Sequence, residues 1–121
     1  MTTANVPAAV IGCLCTCPDP ATARRIAETL VQERLAACVN LLPGVHSIYR
    51  WHDAVEHADE VLLLAKTTPA CLAALQARLQ ALHPYELPEL LVVEAGGGLP
   101  AYLAWIADNV SPPGSADRLG D

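Results

Sequence analysis

With 121 residues, the chain has the length of one compact domain that can bury a core without disulfide or metal staples. Apolar residues make up 53% of it and charged residues 17%, which excludes a disordered segment, while the even interruption of the apolar runs excludes a membrane protein. A formal charge of -6, with seven Lys and Arg scattered along the chain, repels a phosphate backbone, so no nucleic-acid partner is expected.

In chain order, residues 1–7 read as an N-terminal extension and residues 8–110 as a single domain. The apolar stretch from Ala8 to Cys15 has no basic residue before it, since the first is Arg24, and it is too short to cross a bilayer. It reads as a buried strand, residues 8–17, rather than a signal peptide or a membrane anchor. Five cysteines, an odd number, in a chain without an export signal fit free thiols in a reducing, cytoplasmic compartment. Pro18-Asp19-Pro20 ends the strand, with Asp19 as a helix N-cap and Pro20 at the first helical position. Ala23, Ile26, Ala27, Leu30 and Val31 then recur at helical spacing to about Leu35.

A second strand is expected from Ala37 to Leu42, bent at Pro43-Gly44 and continuing from Val45 to about Trp51. The polar residues 52–59 read as a connection, and residues 60–67 as a third strand in a hairpin with the second. Thr68 with Pro69 marks the start of a second helix, striped by Leu72, Leu75, Leu79 and Leu82. His83 to Glu89, with two prolines, reads as a loop, Leu90 to Ala95 as a fourth strand, and Ala101 to Val110 as a short helix docked by Tyr102 and Trp105. Residues 111–121, with two prolines and two glycines, read as a disordered tail.

The order β-α-β-β-α-β with an extra C-terminal helix is that of a ferredoxin-like α+β sandwich, which carries helices on one sheet face. Yet the strands are apolar on both faces: Val61 and Leu63 alternate with Leu62 and Leu64, and Leu90 and Val92 with Leu91 and Val93. The final helix is too small to cover the second face alone. Another copy of the chain is the simplest cover, so the pattern predicts a homo-oligomer.

Cys13, Cys15 and Cys17 invite a metal reading that strand geometry opposes. Alternate residues on one strand lie roughly 6.6 Å apart, whereas two thiolates on one tetrahedral zinc lie roughly 3.8 Å apart. Small buried hydrophobes are the simpler assignment, as for Cys38 and Cys71. His46, His52 and His57 lack the helical spacing of a ligand pair and read as solvated surface. Ser47 has no base on its own sheet face, and Gly96 to Gly98 lacks the Lys-Ser/Thr of a phosphate loop. A Cys15 and His83 thiol pair is the one enzymatic arrangement worth testing. His83 also suits the C-terminus of the second helix, where a cationic group is favoured.

Several segments together resemble the CutA family: Leu35 to Asn40 (LAACVN), Ser47 to Trp51 (SIYRW), Lys66-Thr67, His83 to Glu89 (HPYELPE), and Tyr102-Leu103 with Trp105. The similarity runs in order from about Val10 to Val110. It implies a homotrimer with intersubunit strand pairing and a role in divalent-cation tolerance without catalysis. Tyr49 and Trp51, two apart on a strand expected to leave the subunit body, share a sheet face and are expected in the subunit interface. The resemblance also implies a metal site of Cys15 and His83, completed by Glu86 or Glu89, for copper or another divalent cation, with no obligatory cofactor. The chain departs from the family in having Asp53 and Ala54 after the tip Trp51, Leu82 before His83, and Glu94 at the end of the fourth strand. The alternative function is a sensor resembling PII signalling proteins, binding a small ligand in intersubunit clefts.

Overall fold

The computed structural model describes residues 9–114. Strand β1 (Ile11–Cys17) leads into helix α1 (Pro20–Gln32), β2 (Cys38–Trp51), β3 (Ala54–Thr67), a 3-10 turn at Pro69–Cys71, α2 (Leu72–Leu82), β4 (Leu91–Glu94) and α3 (Pro100–Asp108). The four strands form one sheet in the order β2-β3-β1-β4, with every neighbouring pair antiparallel. This is the ferredoxin-like topology with an added helix. The N-terminal extension and residues 115–121 of the expected tail lie outside the described residues. Ser111, where that tail was expected to begin, is buried and donates its backbone N–H to Arg34 O.

Asp19 caps α1 through its side chain, which accepts from the Thr22 N–H at 2.7 Å, and Pro20 follows as the first helical residue. These bonds hold the Asp19 carboxyl below its usual range. The helix stops earlier than its apolar period suggests, because Arg34 takes φ 60° while Leu35 N–H bonds Leu30 O and Arg34 N–H bonds Val31 O. That bond pair is a Schellman motif with arginine in the place usually held by glycine. The second helix begins less simply than expected. Thr68 makes no side-chain cap bond, and a 3-10 turn precedes α2.

Residues 54–59 are strand, not connection, so β3 is 14 residues long and meets β2 across a turn of His52 and Asp53. Both turn residues have positive φ, 50° and 65°, the requirement of a two-residue I′ hairpin. Polarity concealed the strand because this end of the hairpin projects beyond the core as an arm that is exposed on both sides. Between Leu42 and Val45 the register shifts, and Pro43 and Gly44 lie opposite Val61 alone. Gly44, at φ 78°, supplies the left-handed backbone there.

The core lies between the sheet and helices α1 and α2. Cys13, Cys15, Cys17, Val61, Leu63 and Ala65 face Ile26, Leu30, Leu75 and Leu79. The opposite sheet face is only partly covered. Leu103 and Ile106 anchor α3 near Val10, while Leu42, Leu91 and Val93 remain 46%, 57% and 44% exposed. Tyr102 and Trp105 stack on each other at 5.9 Å and are partly exposed, and Tyr102 ties α3 to the sheet by accepting from Lys66 of β3. Leu103 and Ile106 take the docking role because their helical spacing turns them to the sheet.

Thr67, fully buried at the end of β3, donates its hydroxyl to Leu35 O at 2.7 Å and ties the strand to the segment after α1. Thr67→Val keeps the shape and orphans that carbonyl. The expected cost is about 1–3 kcal/mol, read as a lower urea midpoint at unchanged slope.

Candidate metal centre

The extended backbone of β1 sends the side chains of Cys13, Cys15 and Cys17 to the helix-facing side, all fully buried. At the far end of α2, the His83 N–H bonds Leu79 O and closes the helix, and the His83 ring turns inward toward the end of β1. Its Nε2 lies 2.8 Å from Thr16 O, and Tyr85 N–H donates to its Nδ1 at 3.1 Å. A carbonyl only accepts and a backbone N–H only donates, so the ring carries its proton on Nε2. His83 is therefore a buried, doubly bonded imidazole and not a solvated cap.

Ligand atoms of Cys15, Cys17 and His83 all lie within 4.8 Å of one another. Backbone spacing had argued against Cys15 and Cys17 sharing an ion. The ligand atoms converge although the backbone positions do not, because side-chain direction is a freedom that the backbone distance does not contain. Cys13 stays outside the group. The group is enclosed: Cys15 and Cys17 are fully buried and His83 is 7% exposed.

Two carboxylates border the group. Glu89 accepts from the Thr16 hydroxyl at 3.3 Å, and Glu60, 8% exposed, accepts from the Tyr85 hydroxyl at 2.6 Å. Glu86 is exposed and hydrogen-bonds to none of these residues. Tyr85 also packs its ring against His83, 4.6 Å between centroids. Sequence reasoning missed Cys17, Glu60 and Tyr85. Glu60 gives no signal in the sequence, because its burial follows from the hairpin register. Tyr85 was legible as part of a rigid loop but not as the donor that fixes His83.

The electrostatics push the two thiols of the group in opposite directions. A hydrogen bond to Cys17, burial, and the charges of Cys17, Glu89 and Glu60 all push the Cys15 thiol far above the usual range. Cys17 is lowered by the hydrogen bond from Cys15, against burial and the nearby Glu60 and Asp19. The pair thus gives up its first proton from Cys17. Burial alone pushes Cys13 up to about 11. Burial, then the bond to Glu60, raises Tyr85 above the normal phenol range, so it remains a donor. Both nitrogens of His83 are engaged, so the imidazole is not free to take the Cys15 proton in this arrangement. As a donor set for a cation, two thiols and an imidazole fit a soft or borderline metal, on loss of the thiol protons and release of one His83 contact.

Tyr49 and Trp51 are not among the converging donors and lie on the hairpin arm, 43% and 38% exposed. Both occupy the sheet face that the helices leave open, together with Leu62 and Leu64, by the register of β2 on β3.

A family model described as CutA1 divalent ion tolerance protein matches residues 11–109. The divalent-cation tolerance protein CutA of Thermus thermophilus is 48% identical over 96 residues, which span 79% of this chain and 93% of that one. A solved structure of the divalent cation tolerance protein from Thermus thermophilus superposes with a TM-score of 0.83 at 45% identity, over 84% of this chain and 99% of that one. CutA1 of Oryza sativa superposes at 0.84 with 34% identity, over 87% and 96%. The ordered sequence segments, the strand order and these likenesses agree over nearly the whole described chain, and the chain belongs to the CutA1 divalent ion tolerance family.

Proposed function

We propose that this protein acts in divalent-cation tolerance as a non-catalytic cytoplasmic homotrimer, in which Cys15, Cys17 and His83 take up a soft or borderline cation, copper foremost. The observation that carries this reading is the convergence of three buried donors within 4.8 Å in a chain whose relatives are named for divalent-cation tolerance. Thiolate donors select copper(I) and also suit zinc, and imidazole suits both metals. Glu89 and Glu60 add negative charge at the border of the cluster. All five cysteines are free thiols, which suits a reducing compartment.

The trimer is supported by the open sheet face. Leu42, Leu91 and Val93 are exposed there, and Tyr49 and Trp51 continue the same face onto the arm. A second copy laid across it removes this apolar surface from water. A sensor that signals through a long mobile hairpin loop is less well supported, because the hairpin tip is only the two residues His52 and Asp53.

Light scattering should give about 38 kDa, three times the chain mass of 12.8 kDa. Trp51→Ala should loosen the assembly by about 3–5 kcal/mol per buried ring, seen as a melting temperature that falls and becomes more dependent on concentration. A monomer at micromolar concentration, or a Trp51→Ala variant that melts like the parent, contradicts the interface.

For the metal, calorimetric titration under reducing conditions should show copper(I) binding abolished in Cys15→Ser and in Cys17→Ser. His83→Ala should reduce it less, since the imidazole must first give up a hydrogen bond. Binding consumes thiolates, and the hydrogen bond to Cys17, burial and the neighbouring charges hold the Cys15 proton, so the affinity should rise with pH as Cys15 becomes easier to ionise. Unchanged binding in both serine variants would assign the metal elsewhere.

A further inference from the structure

The histidines of the hairpin, which sequence spacing leaves as unrelated surface residues, are brought together by strand pairing. His46 lies directly opposite Asp59, and His57 lies opposite Ile48, one diagonal step along the same face. His46 Nδ1 is 2.9 Å from Asp59 Oδ1, and His46 Nε2 is 2.9 Å from His57 Nδ1. The two rings are 5.1 Å apart and tilted by 45°. All three residues are exposed, His46 to 53% and Asp59 to 93% by side chain.

We propose that His46 and His57 form a surface chelate for a borderline divalent cation such as zinc, oriented by Asp59. The carboxylate only accepts, so His46 Nδ1 carries its proton, and in the neutral form of the ring the lone pair lies on Nε2. That nitrogen faces His57 Nδ1. Two nitrogens bound to one zinc at about 2.0–2.1 Å are separated by about 2.9 Å at a right angle and about 3.3 Å at a tetrahedral one. The observed pair already stands at that separation. On binding, the proton on His57 Nδ1 transfers through water to the other nitrogen of that ring, and both lone pairs reach the metal. Asp59 remains on His46 Nδ1 as the carboxylate partner that fixes tautomer and ring orientation, an arrangement common behind metal-bound histidines. Water completes the coordination, so binding is weak and exchange is fast.

The location favours access. His46, His57 and Asp59 share the helix-side face of the arm beyond the helices, whereas Tyr49 and Trp51 occupy the reverse face. A copy of the chain laid on the open sheet face meets the reverse face of the arm from this cluster. The site shares no residue with the thiol group, and it stands whether or not that group binds copper.

Titrating the full-length protein with zinc chloride while following assigned imidazole carbon-bound proton resonances tests the proposal. His46 and His57 should shift together with one zinc per chain, while His52 stays still and His83 reports separately on the buried group. His46→Gln and His57→Gln should each remove the shift of the remaining partner, and Asp59→Asn should weaken binding roughly 10- to 100-fold. Zinc that leaves the His46 and His57 resonances unmoved in the parent protein overturns the proposal without need of a variant. So does equal binding by the parent and both glutamine variants, or a loss that follows His52→Gln instead.

Discussion

The two-residue alternation of β3 governs this molecule. From Val61 to Thr67 its odd-numbered side chains are buried under α1 and α2, and from Leu62 to Lys66 its even-numbered ones face the side the helices leave open. Because β3 pairs with β1 on one edge and β2 on the other, its parity sets that of its neighbours: Cys13, Cys15 and Cys17 go inward with Ala65, Leu63 and Val61. The cysteines of the candidate centre are therefore core residues first. Their chemistry is available only because the core ends where β1 does, beside the loop that carries His83.

That origin explains the balance in the thiol group. Burial supplies proximity and excludes water, and the same burial opposes the charged thiolate that a metal needs. His83 contributes a ring nitrogen but also closes α2 and holds the loop to Thr16 O, so its donor role competes with a structural one. Tyr85 and Glu60 tighten the arrangement from the open side. The outcome is a site that is assembled but shut, in which the cation must do the work of displacing protons and one hydrogen bond.

Much of the fold was legible in the sequence because the relevant signals are local. Asp19-Pro20 marks a helix start, Pro43-Gly44 a bend, and the two-faced strands an uncovered sheet, and each stands in the structure as read. Where reading failed, the missing information was relational. Residues 54–59 are polar because both faces of the arm meet water, which erases the alternation that identifies a strand. Cys17 was set aside on backbone spacing, although its thiol lies within 4.8 Å of the other ligand atoms. His46 and His57 are eleven residues apart, and only the antiparallel register makes them neighbours. The resemblance brought Cys15 and His83 forward correctly as a pair in space, but it placed Glu86 beside them, and the loop carries that side chain away to the surface.

The extra residue at Pro43-Gly44 joins these features. Between Leu42 and Val45 β2 advances three positions while β3 advances two, so the parity of β2 inverts at the bulge. Before it, Val39 and Leu41 face the helices; after it, His46, Ile48 and Arg50 take that side. Without the bulge, a continuous ladder would turn Tyr49 and Trp51 toward the helix side and set His46 on the open face, where a covering subunit would bury it. One added residue therefore sets the aromatic side chains of the arm on the open sheet face and the imidazoles on the opposite one. Gly44 makes that assignment possible, since its backbone takes a conformation strained for any residue with a Cβ. The separation of an enclosed thiol group from an exposed imidazole pair follows from the same strand. The first suits a soft cation held in a dry core, and the second a hydrated borderline cation exchanging with water.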